Sequence, residues 1–144
     1  MFKLPLDQRL ESWLNLRKQL EYSQNPLQET CDFWQNAPFI PINYKIDPYY
    51  KQSWPTPWEI IEYNKYDDFT KALMIGWTLK LSKKYAKSEI DLKTVVDTQR
   101  NREYNLIYVE KDWVLNYCDQ GPIEGNKIPE SFRLQNLVEL WAPR

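Results

Sequence analysis

From residue 7 to about 22, the apolar residues Leu10, Trp13, Leu14, Leu16 and Leu20 recur mostly at helical spacing among polar neighbours. The pattern predicts an amphipathic helix with Asp7 as its N-cap and Leu6 just before it. Asn25-Pro26-Leu27-Gln28 then supplies a second start, with an N-cap residue, proline at the first helical position and glutamine at the third. Leu27, Cys31 and Trp34 share one face of this helix, which must end before Pro38. The connection through residues 23–25 is short enough for an αα-hairpin.

The periodicity then breaks. Residues 37–54 contain Pro38, Pro41 and Pro48, which exclude a regular helix, yet Phe39, Ile40, Tyr44, Tyr49 and Tyr50 are too apolar for a disordered linker. An ordered loop is expected. It leads into Thr56-Pro57-Trp58-Glu59, a capping box with proline at the first helical position, heading a short helix to about Asn64. Asp67 or Asp68 caps the next helix, expected through about Tyr85, with Phe69, Ala72, Leu73, Gly76, Trp77 and Lys80 along one face. Gly76 there predicts the close approach of a neighbouring backbone.

After this helix the period changes to two. LKTVVD at 92–97, YNLIYV at 104–109 and WVLNY at 113–117 read as strands, the last two joined tightly by Glu110-Lys111-Asp112. Turns follow at Gln120-Gly121-Pro122 and Glu124-Gly125-Asn126. The tail predicts a capped helix from Ser131 through about Asn136, then a strand at 137–141. The expected class is α+β, with an N-terminal helical hairpin and a central helix packed on a small antiparallel sheet. At 144 residues this fits one domain: the hairpin at 1–36, a proline and aromatic loop at 37–56, and an α+β core at 57–144.

Composition narrows the chemistry. The formal net charge is −1, so no global field draws the chain to nucleic acid or anionic lipid, and direct nucleic-acid binding is not expected. The opening MFKLPLDQRL lacks the apolar stretch of a secretion signal, no apolar run approaches membrane-spanning length, and Cys31 and Cys118 form no CxxC. A chain folding in a reducing cytoplasm away from membranes, with both cysteines as buried small hydrophobes, is expected. There is no histidine, so Ser-His, Cys-His and histidine-ligated metal mechanisms are excluded within this chain. Three glycines in no phosphate-loop pattern give no nucleotide motif, and no cofactor is expected.

The order helix, capped helix, antiparallel strands over residues 54–117 resembles the core of bacterial transglutaminase-like cysteine peptidases. In that family the nucleophilic cysteine lies at the central helix N-terminus in a segment like GxCDDFA, which here reads Lys65-Tyr66-Asp67-Asp68-Phe69-Thr70. Histidine opens the following strand and an acidic residue lies on the next, where this chain has Asn105 and Asn116. The resemblance therefore places cysteine on Tyr66, histidine on Asn105 and the acid on Asn116. It implies a transglutaminase-like fold whose triad is degenerate, a pseudoenzyme, since neither tyrosine without a base nor asparagine performs the proton transfers of the lost pair.

Two carboxylate arrangements stand out. Asp97 and Glu110-Lys111-Asp112 resemble a nuclease motif of the PD-(D/E)xK type, but adjacent Glu110 and Lys111 point to opposite strand faces, so a charged hairpin turn is the better reading. Asp67 and Asp68 fit helix capping better than cation binding. Binding remains: with seven Trp, ten Tyr and five Phe, Tyr49, Tyr50 and Trp54 are the candidate interface anchors. The WPTPWE, YDDF and VLNY strings look like those of small proteins of contractile-tailed bacteriophages. That resemblance implies a non-catalytic structural or assembly component, made in host cytoplasm and carried in the virion, whose partners are other phage structural proteins or copies of itself. The alternatives are a small phage effector inhibiting a host protein and a carboxylate or metal-dependent enzyme.

Overall fold

In the computed structural model, which describes residues 1–141, four helices pack on one face of a five-stranded antiparallel sheet of order β4-β3-β2-β1-β5. The elements are α1 (Leu6–Gln19), α2 (Pro26–Gln35), α3 (Pro57–Tyr63), α4 (Asp68–Lys80), β1 (Ile90–Asp97), β2 (Arg102–Val109), β3 (Trp113–Leu115), β4 (Ile123–Glu124) and β5 (Phe132–Glu139). The α+β class read from the sequence is the observed one. Residues 142–144, the end of the expected core, lie outside the described residues.

The helix starts divide by chemistry. At α3 the capping box forms in full: the Glu59 amide donates to Thr56 Oγ1 at 3.2 Å, and Glu59 Oε1 accepts from the Thr56 amide at 3.0 Å. At α4 it is Asp67 that caps, accepting from the Thr70 amide at 2.7 Å. The other two starts differ from expectation. α1 begins two residues earlier, with Pro5 in the cap position, and leaves Asp7 in the first turn, where its charge favours the helix dipole. Asn25 occupies the α2 cap position without a side-chain bond, and Gln28 turns forward to Asp32 at 2.9 Å.

α4 is the axis of the core. It ends at Lys80 rather than Tyr85, because the Ser82 hydroxyl donates to the Leu79 carbonyl at 2.6 Å and accepts from the Tyr85 amide at 3.3 Å, diverting the backbone from helix. α1 and α2, joined by the turn 20–25, each lay a fully buried tryptophan on α4. The indole N–H groups of Trp13 and Trp34 both donate to Thr78 Oγ1, at 2.9 and 3.0 Å, and that hydroxyl donates to the Met74 carbonyl at 2.6 Å. One hydroxyl thus joins three helices. A Cβ on Gly76 would collide with the Leu140 and Ile107 side chains, so the close neighbour is the packed sheet surface and not a backbone.

The sheet is apolar on both faces. Ile90, Leu92, Ile107 and Val109 face α4, while Val95, Leu106 and Val114 form a second cluster on the far face beneath Tyr104, Tyr108, Tyr117 and Phe132. Glu110, Lys111 and Asp112 join β2 to β3, with Glu110 and Lys111 left-handed at φ of 52° and 63° and the Asp112 amide donating to the Val109 carbonyl at 3.0 Å. The tail corrects the sequence expectation: the expected helix through Asn136 is the strand β5, antiparallel to β1, with a register shift that leaves Gln135 unpaired between Leu134 and Asn136. The strand β1 offered eight residues of open hydrogen-bonding edge, and pairing with it outweighs a local cap signal at Ser131.

Candidate functional site

The N-terminus of α4 meets the ends of β2 and β3, where the resemblance places the triad. Two of the three predicted positions converge. Asn105 Nδ2 donates to Asp68 Oδ2 at 2.9 Å, and Asn116 Nδ2 donates to Asp68 Oδ1 at 3.2 Å and to the Asn105 carbonyl at 2.9 Å. The Asn105 amide adds a longer bond to Asp68 Oδ2 at 3.3 Å. Behind this, the Thr94 hydroxyl donates to Asn105 Oδ1 at 2.8 Å, fixing the orientation of the amide. Asn116 reaches the carboxylate from a left-handed backbone, φ 70°, which asparagine adopts more readily than other non-glycine residues.

The third predicted position lies elsewhere. Tyr66 is 1 % exposed, its ring packed edge-on against Phe2 and Trp34, with centroids at 5.7 and 5.4 Å. Among the described residues its hydroxyl has no hydrogen-bond partner, and burial pushes its pKa up. The side chain facing Asn105 and Asn116 is Asp68, two positions further along. Its neighbour Asp67 turns the other way, binding Thr70 and, through Oδ2, the Asn43 amide at 2.9 Å.

Chemically the cluster is a clamp. Each Asp68 oxygen accepts from an asparagine amide, and Asn105 Oδ1 is occupied by the Thr94 hydroxyl. A charge-assisted set of this kind ties the helix start to two strands. A cleft of about 450 Å³ lies over it, its lining including Phe39, Ile42, Tyr104 and Tyr117 together with the cationic Lys71 and Arg102.

The loop crossing this side is ordered by backbone pairing and by its own anchors. The Tyr66 amide donates to the Pro38 carbonyl at 2.9 Å, and the Ile40 amide to the Tyr66 carbonyl at 3.0 Å. Trp54 is half-buried, edge-on to Phe69 and Trp77, and its indole donates to the Asp47 carbonyl at 2.6 Å. Of the three candidate anchors, Trp54 therefore supports the loop from beneath, while Tyr49 and Tyr50 are 67 % and 57 % exposed. Sequence reasoning missed Ile42, and left Phe39 and Tyr44 as loop residues; all three are exposed on the same segment. Their signal was an apolar content that the loop's own packing does not use up.

The nuclease-like carboxylates do not meet. Asp97 pairs with Arg102 at one end of the β1–β2 ladder and Val109, before Glu110-Lys111-Asp112, pairs with Ile90 at the other, a separation of about 20 Å at strand rise. Asp97 instead accepts from Arg100 Nη1 at 3.0 Å, the Gln99 amide at 3.0 Å and the Ser131 hydroxyl at 3.0 Å. Among the described residues no helix is long and apolar enough to cross a membrane. No family model matches the chain, and a search of curated proteins finds no match.

Proposed function

We propose that this chain is a non-catalytic structural or assembly protein of a tailed bacteriophage, working through contacts with other phage structural proteins or with copies of itself. The observation that carries this reading is an apolar, solvent-facing loop held stiff from below. Phe39, Ile42, Tyr44, Tyr49 and Tyr50 are exposed, while Ile46, Trp54 and the Asn43 bonds to Asp67 and Thr70 anchor the same segment. Fixing such a loop before binding reduces the entropy lost on docking, and tyrosine supplies large contact area with few rotatable bonds. The Asp68–Asn105–Asn116 clamp supports a structural role for the position where the resemblance expects chemistry. The phage setting rests on the WPTPWE, YDDF and VLNY strings, and with it comes synthesis in host cytoplasm followed by residence in the virion.

The test pairs an inventory with a variant. Mass spectrometry of purified particles from the source phage should find the protein in fixed copy number. A Tyr49→Ala, Tyr50→Ala double variant should keep the parent urea midpoint yet fail to incorporate. Absence from the particle, or normal incorporation of the variant, refutes the proposal.

A further inference from the structure

Cys31 on α2 and Cys118 in the turn after β3 are far apart in the chain, and both thiols are free and half-buried. Neither is the fully buried hydrophobe expected from the sequence. Both line one small cavity of about 20 Å³, whose wall also includes Lys71, Ile75, Asn116 and Asp119. That volume holds about one water molecule, and both cysteines lie on its wall. The turn itself rests on α2: a Cβ at Gly121, φ 107°, would strike the amide of Gln28, and the Cys118 thiol points to the Gly121 carbonyl at 3.9 Å. Asn116, two residues before Cys118, is the residue that reaches Asp68.

We propose that Cys31 and Cys118 form a reversible intramolecular disulfide that staples α2 to the turn carrying Asn116, and so locks the wall of the clamp. The inference rests on the shared cavity and holds whatever the protein assembles with. The oxidant is a small-molecule disulfide such as oxidised glutathione. The Cys118 thiolate attacks one of its sulfurs, the glutathione S–S bond breaks, and one glutathione thiolate leaves. Cys31 then gives its proton to solvent and its sulfur attacks Cys118 Sγ, expelling the glutathione left on it. Two protein thiols lose two electrons and the glutathione disulfide gains them, while the two protons end on the released glutathione. Burial pushes the Cys31 thiol up to about 12, with Asp32 and Cys118 adding to the rise and the Asn116 backbone amide and Lys71 opposing it. The order of events follows: Cys118 reacts first, and closure by Cys31 is the slow step.

The full chain is incubated with oxidised glutathione, then examined by intact mass, peptide mapping and urea unfolding. The expected product has lost two hydrogens, yields one Cys31–Cys118 linked peptide, and unfolds at a higher urea midpoint that returns to the starting value on reduction. Cys31→Ser should stop at a glutathione adduct on Cys118, and parent protein oxidised in unfolding urea should give mixed adducts instead of the cross-link. Glutathione on both thiols of the folded parent, a disulfide-linked dimer, unmodified thiols, or a cross-link that leaves the midpoint unchanged would each overturn the staple.

Discussion

Replacing Thr78 by valine removes one oxygen atom at nearly constant shape and strands two donors. The indole N–H groups of Trp13 and Trp34 lie in side chains with no solvent exposure, and Thr78 Oγ1 is the acceptor for both. An unsatisfied buried donor costs about 1–3 kcal/mol, so two cost about 2–6 kcal/mol; the Met74 carbonyl loses little, because it lies mid-helix within reach of its helical partner amide. Total stability for a domain of this kind is about 5–15 kcal/mol, so the variant should lose a large part of it. Thr78→Ser keeps the acceptor and deletes one methyl group, worth about 1 kcal/mol. With a urea m-value of about 2 kcal/mol/M, the valine variant should unfold about 1–3 M earlier and the serine variant about 0.5 M earlier, read by far-ultraviolet circular dichroism. The decisive comparison repeats Thr78→Val in a Trp13→Phe, Trp34→Phe background, where no donor is left to strand and the penalty should nearly vanish. Equal midpoints for the valine and serine variants, or an undiminished penalty in the phenylalanine background, would refute the hub.

Asp68→Ala should cost about 2–4 kcal/mol in urea unfolding, because it frees the Asn105 and Asn116 amides, whereas the same change at exposed Asp112 should cost under about 0.5 kcal/mol; equal effects would remove the clamp. Thr56→Ala should lose about 0.5–2 kcal/mol through the α3 cap and Thr56→Ser much less, so indistinguishable midpoints would mean the capping box contributes nothing. Burial, with the neighbouring Glu89 and Glu139 carboxylates, pushes Asp91 above the usual carboxylate range. The folded state therefore binds this proton more tightly than the unfolded chain, its contribution is fully present below the unfolded pKa, and it is lost as pH rises through the folded one. Asp91→Asn should flatten that part of the stability profile, and an unchanged profile would contradict the assignment.

What could be read without the structure was local. The cap of α3, a cap at Asp67 or Asp68 and the alternation of β1 and β2 each depend on residues within a few positions of one another, and short-range sterics and hydrogen bonds suffice to set them; only the structure chose Asp67. The missing histidine is likewise a fact of the chain alone, and it excluded imidazole chemistry before any fold was known. Tertiary structure decided the rest. The tail became β5 because β1 presented an unpaired edge some 40 residues earlier, a demand for backbone hydrogen bonds that no window around Ser131 contains. Two adjacent aspartates parted because Asp67 is the extended N-cap, its carboxylate turned to the Thr70 and Asn43 amides, while Asp68 is the first helical residue and faces the sheet; Tyr66, before the helix, turns into the aromatic core. Nothing in the sequence around Thr78 marks it, because its role depends on two tryptophans from separate helices that arrive with donors to satisfy. The two cysteines share a cavity for the same reason: packing α2 against α4 and folding the turn after β3 over it brings together residues that neither spacing nor composition relates.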